Sequence, residues 1–117
     1  MKIVFIDDNE LNRMVMEDML EIILVDAVVE TYANAKDFLA LEIDKYDIVL
    51  TDIDMPEMDG FSFYNTLRRS NFEKPIIAVT ALAVNGDRER MLMHGFNDYI
   101  SKPIDMKQLE VTLKKYI

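Results

Sequence analysis

The sequence predicts an α/β fold in which a doubly wound parallel sheet of five strands alternates with five helices. Short runs of β-branched and aliphatic residues, bounded by polar residues, recur along the chain and are typical of strands buried on both faces. Segments with helical spacing of apolar residues separate these runs. Because strands and helices alternate, a parallel sheet with right-handed crossovers is favoured.

Length and composition narrow the class of protein further. A chain of 117 residues fits one domain, residues 1–117, and such a domain buries roughly two-thirds of its unfolded surface. Cysteine is absent, which excludes disulfide and thiol chemistry. A net charge of −9 disfavours direct binding to nucleic acid or to anionic membranes. No apolar run suits a membrane span or a signal peptide, so we expect a soluble cytoplasmic protein.

The elements can be placed along the chain from these runs and from capping residues. We expect strands at Lys2–Ile6, Val28–Tyr32, Ile48–Leu50, Ile76–Val79 and Phe96–Ile100. We expect helices at about Glu10–Ile23, Ala33–Leu41, Asn85–His94 and Asp105–Tyr116, and another after Gly60 in which Phe61, Phe63, Tyr64 and Leu67 have helical spacing and Arg68 and Arg69 lie near the carboxyl end. Asn9, Asn34 and Asp105 suit the amino-terminal caps of three of these helices, and Gly95 suits a helix stop. In the last helix, we expect four apolar residues to pack on the sheet: Met106, Leu109, Val111 and Leu113.

The first helix has more apolar residues than one buried stripe needs. At 100° per residue, a broad face that includes Met16 and Leu20 points one way, whereas Leu11, Met14 and Ile22 point to the other side. Two interpretations remain open for this second set. The helix is either a wide core helix, or Leu11, Met14 and Ile22 form an exposed patch that docks a partner.

Polar side chains follow four of the five predicted strands. Asp7 and Asp8 follow the first strand, Asp52 the third, Thr80 the fourth and Lys102 the fifth. The carboxyl ends of parallel strands meet at one edge of the sheet, where open α/β sheets bind ligands. Each of these residues alone has an ordinary explanation as a cap, a strand-end hydroxyl or a solvated lysine. Their joint occurrence predicts one small site.

The residue types in this site indicate phosphoryl chemistry. Two carboxylates 4 Å apart repel each other by roughly 4 kcal/mol at an effective dielectric constant near 20, so the cluster favours a bound cation. Carboxylate oxygens with room for water suit Mg²⁺. Asp52 is the candidate nucleophile that forms an acyl phosphate, Lys102 and the metal would neutralise the phosphoryl oxygens, and Thr80 would donate a hydrogen bond.

Together the motifs resemble those of a two-component response-regulator receiver domain. They are the pair Asp7–Asp8, DIDMPEMDG at 52–60, VTA at 79–81 and DYISKP at 98–103, and the resemblance covers essentially the whole chain. It implies a flavodoxin-like sheet with strand order 2-1-3-4-5. It also implies a signalling phosphoacceptor rather than a turnover enzyme.

The resemblance also implies roles for individual residues. Asp52 would accept a phosphoryl group from a histidine kinase or a histidine phosphotransfer domain. Asp8 and Asp52 would ligate Mg²⁺, for which Mn²⁺ could substitute, Asp7 would act largely through water, and the backbone carbonyl of Asp54 would complete the protein ligands. Lys102 would pair with the phosphoryl oxygens, and its peptide bond to Pro103 would be cis.

The same resemblance suggests how the signal leaves the domain. Thr80 and Tyr99 would form a switch pair that alters the face built by the fourth helix, fifth strand and fifth helix, where a downstream target would bind. The segments at 8–13 and 85–91 resemble receivers of hybrid kinases or stand-alone phosphorelay proteins, which dock phosphotransfer helices near the first helix. The Asp54 carboxylate and Leu82 could tune the acyl-phosphate lifetime in opposite directions, so the lifetime stays open.

Two alternatives from other classes remain. A magnesium phosphatase of the haloacid-dehalogenase kind also has an Asp-x-Asp nucleophile motif, which Asp52-Ile53-Asp54 fits. The order of residues argues against it, because here the acidic pair precedes the nucleophile and 117 residues leave no cap domain. A phosphorylation-independent interaction module is disfavoured because every residue that the chemistry needs is present.

Overall fold

The predicted α/β architecture is confirmed by the structure, a computed structural model that describes residues 1–81 and 87–117. Five parallel strands form one sheet in the order β2-β1-β3-β4-β5. The strands are β1 Lys2–Ile6, β2 Val28–Tyr32, β3 Ile48–Thr51, β4 Ile76–Thr80 and β5 Asp98–Ser101. The helices are α1 Glu10–Ile23, α2 Ala35–Leu39, α3 Gly60–Arg69, α4 Asp87–His94 and α5 Met106–Lys114.

Apolar layers cover both faces of the sheet. Buried side chains of α1 and α5 pack on one face, and those of α2, α3 and α4 pack on the other. β1, β3 and β4 are buried almost throughout, whereas β2 at one edge is only half-buried. The continuous apolar runs at β1, β3 and β4 are therefore explained by helices on both sides.

Side-chain caps begin three helices as predicted. Asn9 Oδ1 accepts a hydrogen bond from Asn12 N at 3.0 Å, Asn34 caps α2 and Asp105 caps α5. Gly95 has φ +129°, and the backbone N–H of Phe96 donates to Met91 O at 3.2 Å, which closes the end of α4. The predicted start of the fourth helix at Asn85 lies outside the described residues.

Two predicted elements have the wrong boundaries. The strand expected at Phe96–Ile100 is observed at Asp98–Ser101, because buried Phe96 packs in the connection that closes α4 instead of pairing with β4. The second helix is shorter than Ala33–Leu41, since Ala40 already ends it and a 3₁₀ turn follows at Ile43–Lys45. Apolar residues in the connecting loops make the apolar runs in the sequence longer than the strands and helices themselves.

Two residues of α5 that were expected to pack on the sheet are exposed. Met106 is 40% exposed and Val111 is 55% exposed, whereas Leu109 and Leu113 are fully buried. The helix buries one stripe at positions i and i+4, and Val111 lies between these two residues on the opposite side. The described part of the chain contains no helix long and apolar enough to span a membrane.

Candidate functional site

The carboxylates of three aspartates lie together at the carboxyl edge of the sheet. Each of Asp7, Asp8 and Asp52 offers an oxygen atom within 4.8 Å of those of the other two. Asp7 follows β1 and Asp52 follows β3, and these strands are neighbours, with Ile6 paired to Thr51. The parallel register therefore places the two acidic loops side by side, as the sequence predicts.

The backbone at Asp52 is fixed by hydrogen bonds on both sides. Its N–H donates to Ile6 O at 2.9 Å, and its carbonyl accepts from Thr51 Oγ1 at 2.8 Å. Its own Oδ1 accepts from Ile53 N at 2.8 Å. This arrangement leaves Oδ2 as the oxygen that points to the other site residues. The Asp52 side chain is thus held on a rigid element.

Lys102, the residue directly after β5, joins the acidic cluster. Its Nζ lies 2.7 Å from Asp7 Oδ2 and 3.3 Å from Asp52 Oδ2. The backbone N–H of Lys102 donates to Thr80 O at 2.9 Å, and the Lys102–Pro103 peptide bond is cis. One ammonium group therefore contacts two of the three clustered carboxylates.

Burial and neighbouring charges shift the pKa of the Asp52 carboxyl group. Removal from water raises the pKa of Asp52 most, the neighbouring Lys102 ammonium lowers it, and the Asp7 carboxylate raises it again. The net direction is upward. The site therefore disfavours the ionised carboxylate relative to water, and a cation near Oδ2 would reverse this effect.

The donor set fits a hard divalent cation. All three clustered side chains offer carboxylate oxygens, and Asp8 is exposed to solvent, so water can complete the coordination. Mg²⁺ prefers oxygen ligands and usually keeps several waters. The Asp54 side chain is also exposed, and its loop begins directly after Ile53. The predicted metal contact of its backbone carbonyl stays a prediction.

The two predicted switch residues lie on the adjacent strands β4 and β5. Thr80 is buried at the end of β4, where it pairs in register with Ser101. Tyr99 is half-buried and pairs with Ala78. Burial, and then the Asp87 carboxylate of α4, raise the pKa of the Tyr99 hydroxyl. Leu82, which we expected to shield a phosphoryl group, lies outside the described residues.

The apolar residues on the outer side of α1 are exposed. Leu11 is 67% exposed, Met14 is 53% exposed and Ile22 is 65% exposed, whereas Met16 and Leu20 are fully buried. We name the set Leu11, Met14 and Ile22 the α1 patch. Its exposure excludes the interpretation of α1 as a wide core helix.

The sole histidine lies away from this edge of the sheet. His94 packs against Phe61 and Tyr64 of α3, and its Nε2 is 2.9 Å from Asn65 Oδ1. This agrees with its interpretation as a helix-terminal residue rather than a catalyst. Sequence reasoning missed Asn12 and Arg13, which both donate hydrogen bonds to Asp7. The sequence did contain a signal for them, because both are polar residues on the side of α1 that faces the sheet and is otherwise apolar.

Comparison with known proteins identifies the class. Residues 3–114 match the model of the response regulator receiver domain family, and the chain belongs to that family. It is thus a receiver domain of two-component signalling. The polar-differentiation response regulator DivK of Brucella anthropi is 33% identical over 98% of this chain and 94% of the relative.

Receivers of histidine kinases are equally similar. The hybrid signal transduction histidine kinase G of Dictyostelium discoideum is 32% identical over 99% of this chain, which spans only 4% of that kinase. A solved receiver domain of a sensor histidine kinase from Pseudomonas aeruginosa is 34% identical, with a TM-score of 0.84 over 98% of this chain and 95% of the other. That structure has a magnesium ion coordinated in its active-site cleft. A chemotaxis response regulator of Vibrio cholerae shares the fold, with a TM-score of 0.86 over 99% of this chain and 98% of the other at 24% identity.

Proposed function

We propose that residues 1–117 act as a single receiver domain that takes a phosphoryl group from a phosphohistidine onto Asp52. The observation that carries this proposal is the convergence of three carboxylates and one ammonium at a single sheet edge. Asp7, Asp8 and Asp52 offer oxygens within 4.8 Å of one another, and Lys102 Nζ lies 3.3 Å from Asp52 Oδ2. These are the groups that in-line phosphoryl transfer to a carboxylate needs.

In the proposed transfer, Asp52 Oδ2 attacks the phosphorus atom opposite the imidazole nitrogen of the donor. A phosphorus–oxygen bond forms, the phosphorus–nitrogen bond breaks, and its electron pair stays on the imidazole, which takes up a proton from water. Lys102 would shift from the carboxylates toward the phosphoryl oxygens, whose charge its ammonium balances. Thr80 would donate its hydroxyl hydrogen to the same group.

Asp7, Asp8 and Asp52, with the backbone carbonyl of Asp54, would hold the divalent cation. Bound Mg²⁺ would supply positive charge for the phosphoryl oxygens and relieve the repulsion among the aspartates. Mn²⁺ suits the same oxygen ligands. Asp7 is fully buried and already paired with Lys102, so we assign the direct ligand oxygens to Asp8 and Asp52.

The signal would leave through the face formed by α4, β5 and α5. When Thr80 moves toward the phosphoryl group, space opens behind it and the half-buried ring of Tyr99 can turn inward. That repacking would shift the population between two arrangements of one fold. A downstream target protein that binds one arrangement more tightly would read the change. We place the domain in the cytoplasm with its kinase.

The α1 patch would dock the phosphohistidine donor. Leu11 lies close in sequence to the acidic loop, and Ile22 lines a shallow cavity of about 220 Å³ together with Met106 of α5. A histidine kinase or phosphotransfer helix with an apolar stripe would bury these side chains. The variants Leu11→Ser and Ile22→Ser should keep labelling by a small phosphodonor and lose transfer from phosphohistidine domains. Val111→Ser, also exposed and apolar, is the control.

The test of the phosphoacceptor proposal is stoichiometric labelling with acetyl phosphate and Mg²⁺. We expect one phosphoryl group per chain, no label with EDTA, and no label on the Asp52→Asn variant. Continued labelling of Asp52→Asn would place the acceptor elsewhere. Repeated turnover of phosphate esters, without a labelled protein that accounts for it, would favour a phosphatase instead.

A further inference from the structure

We infer that Asn12 and Arg13, in the first turn of α1, are positioning residues that hold Asp7 in place for binding of the divalent cation. The inference deepens the proposed function and rests on it. Neither residue would touch the metal ion or the phosphoryl group. Both would act through Asp7, which is fully buried at the end of β1.

Within the described residues, four donors surround Asp7. Its Oδ1 accepts from the backbone N–H of Asn9 at 2.9 Å. Its Oδ2 accepts from Asn12 Nδ2 at 3.3 Å and from Lys102 Nζ at 2.7 Å. Its main-chain carbonyl accepts from Arg13 Nη1 at 2.7 Å. Three of these four donors come from the loop and first turn that lead into α1, so this turn fixes the aspartate.

Asn12 and Arg13 occupy inward-facing positions of α1. At 100° per residue they lie on either side of the direction in which Met16 and Leu20 point, and those two residues are fully buried. Asn12 and Arg13 lie about one turn before Met16, and there this side of the helix contacts Asp7 instead of apolar strand residues. Polar side chains are therefore needed there, because an apolar pair would leave Asp7 oxygens without partners.

Asn12 and Arg13 would fix different parts of Asp7. Arg13 donates to the main-chain carbonyl of Asp7, so it fixes the backbone without occupying either carboxylate oxygen. Loss of its positive charge beside the acidic cluster would by itself favour a bound cation, so weaker Mg²⁺ binding by Arg13→Gln would report the lost hydrogen bond to Asp7. Asn12 donates to the same Oδ2 that Lys102 contacts. When Lys102 shifts toward a phosphoryl group, Asn12 would remain as the donor that orients this oxygen.

Loss of a group that orients the ligands of a metal ion typically costs about 10–100-fold in metal affinity, and the lower end of this range applies here because Asp7 would hold the ion through water. The experiment is calorimetric titration of the metal-free domain with MgCl₂, for the wild type and for Asn12→Ala and Arg13→Gln. We expect each variant to bind Mg²⁺ about 10-fold or more weakly than its control. Labelling with acetyl phosphate should be slow at low Mg²⁺ and recover at saturating Mg²⁺, which a general loss of structure would not produce.

Matched controls separate this effect from charge and folding. Arg69→Gln removes one positive charge at the exposed end of α3, and Asn65→Ala removes an exposed amide of the same helix. Thermal unfolding in EDTA checks that each variant is folded, and Asn12→Ser replaces Asn12→Ala where that variant is not. A weakening of roughly threefold or more relative to its control supports a residue's role, and a smaller one overturns it. Absence of Mg²⁺ binding to the wild type would instead overturn the proposed function.

Discussion

Lys102 Nζ lies 2.7 Å from Asp7 Oδ2, although 95 residues separate the two in sequence. The same ammonium lies 3.3 Å from Asp52 Oδ2. The Lys102 side chain is only 13% exposed, so this contact is poorly screened by water. A cation bound to the same carboxylates would take over part of this neutralisation. Lys102 and a divalent cation therefore compete for the aspartates in the proposed site.

The variant Lys102→Met tests this competition. Without the ammonium, the buried carboxylates lose their partner and repel each other, so we expect the free energy of unfolding in EDTA to fall by about 3–5 kcal/mol. Mg²⁺ should then stabilise the variant more than the wild type, which itself should gain about 2.7 kcal/mol at 100 times its dissociation constant. Thermal unfolding with and without MgCl₂ measures both effects. Lys107→Met, at an exposed position of α5, is the control, and an equal or smaller Mg²⁺ response in Lys102→Met would contradict the competition.

Gly60 allows α3 to begin directly against the acceptor loop. A Cβ atom at this position would lie 2.6 Å from Asp52 O and 2.8 Å from Ile53 Cα, which is too close for either. Gly60→Ala should therefore displace the loop and cost about 1–3 kcal/mol of unfolding free energy. It should also slow labelling of Asp52 by acetyl phosphate. Urea unfolding measures the loss of stability, with Ser62→Ala as the control. Unchanged stability of Gly60→Ala would show that the loop can move away from the added Cβ without a cost in free energy.

Glu57 has a backbone conformation that favours glycine. Its φ is +68°, in the loop between β3 and α3, and its side chain makes an exposed ion pair with Lys36 at 3.5 Å. An exposed ion pair contributes little to the free energy of unfolding, whereas a residue with a Cβ in the left-handed conformation lowers it by about 1–2 kcal/mol. After the extra chain entropy of unfolded glycine, Glu57→Gly should stabilise the domain by about 0.5–1 kcal/mol. Glu57→Gln keeps the Cβ and should not stabilise the domain. Equal stabilisation by both variants in urea unfolding would mean that loss of the negative charge, and not relief of the backbone, is the cause.

A pH-dependent contribution to stability comes from Glu30 on the edge strand β2. Its Oε2 accepts from Tyr46 at 2.6 Å and from Tyr32 at 3.1 Å, and Lys2 Nζ lies 3.0 Å from Oε1. The Tyr46 hydrogen bond is the largest of the effects that hold the pKa of Glu30 below its ordinary value of 4.5. A lowered pKa in the fold stabilises it above the unfolded value, and this stabilisation is lost as the pH falls through the folded value.

The variant Glu30→Gln should thus cost about 1–2 kcal/mol at pH 7, since hydrogen bonds to a charged group are lost. The difference from the wild type should stay constant down to about pH 5 and shrink at lower pH. Urea unfolding over this range measures it, with exposed Glu73→Gln as the control. A difference that grows on acidification would mean that the pKa of Glu30 is raised in the fold.

The sheet and most of the site were predictable from the sequence for one physical reason. Buried parallel strands need continuous apolar runs, and parallel strands bring their carboxyl ends to one edge. These two facts are enough to place Asp7, Asp52 and Lys102 together without knowledge of the loops. The same rule failed at Phe96, because an apolar residue that packs in a connection extends the run without joining the sheet.

Details that depend on loop geometry and helix rotation could not be predicted. The sequence did not show that Lys102 contacts Asp7 more closely than Asp52, because both carboxylates are within reach of a long side chain. It also did not show that Asn12 and Arg13 turn toward Asp7. Val111 was misplaced since its apolar character alone does not tell on which side of α5 it lies.

Asp52 is the proposed acceptor of the phosphoryl group, and chemical trapping can identify the residue that carries it. After reaction with acetyl phosphate and Mg²⁺, borohydride reduces an aspartyl phosphate to homoserine, which peptide mass spectrometry can locate. We predict homoserine at position 52 in the treated domain and unmodified Asp7, Asp8 and Asp54. Homoserine at any of those three positions, with Asp52 intact, would show that a residue other than Asp52 accepts the phosphoryl group.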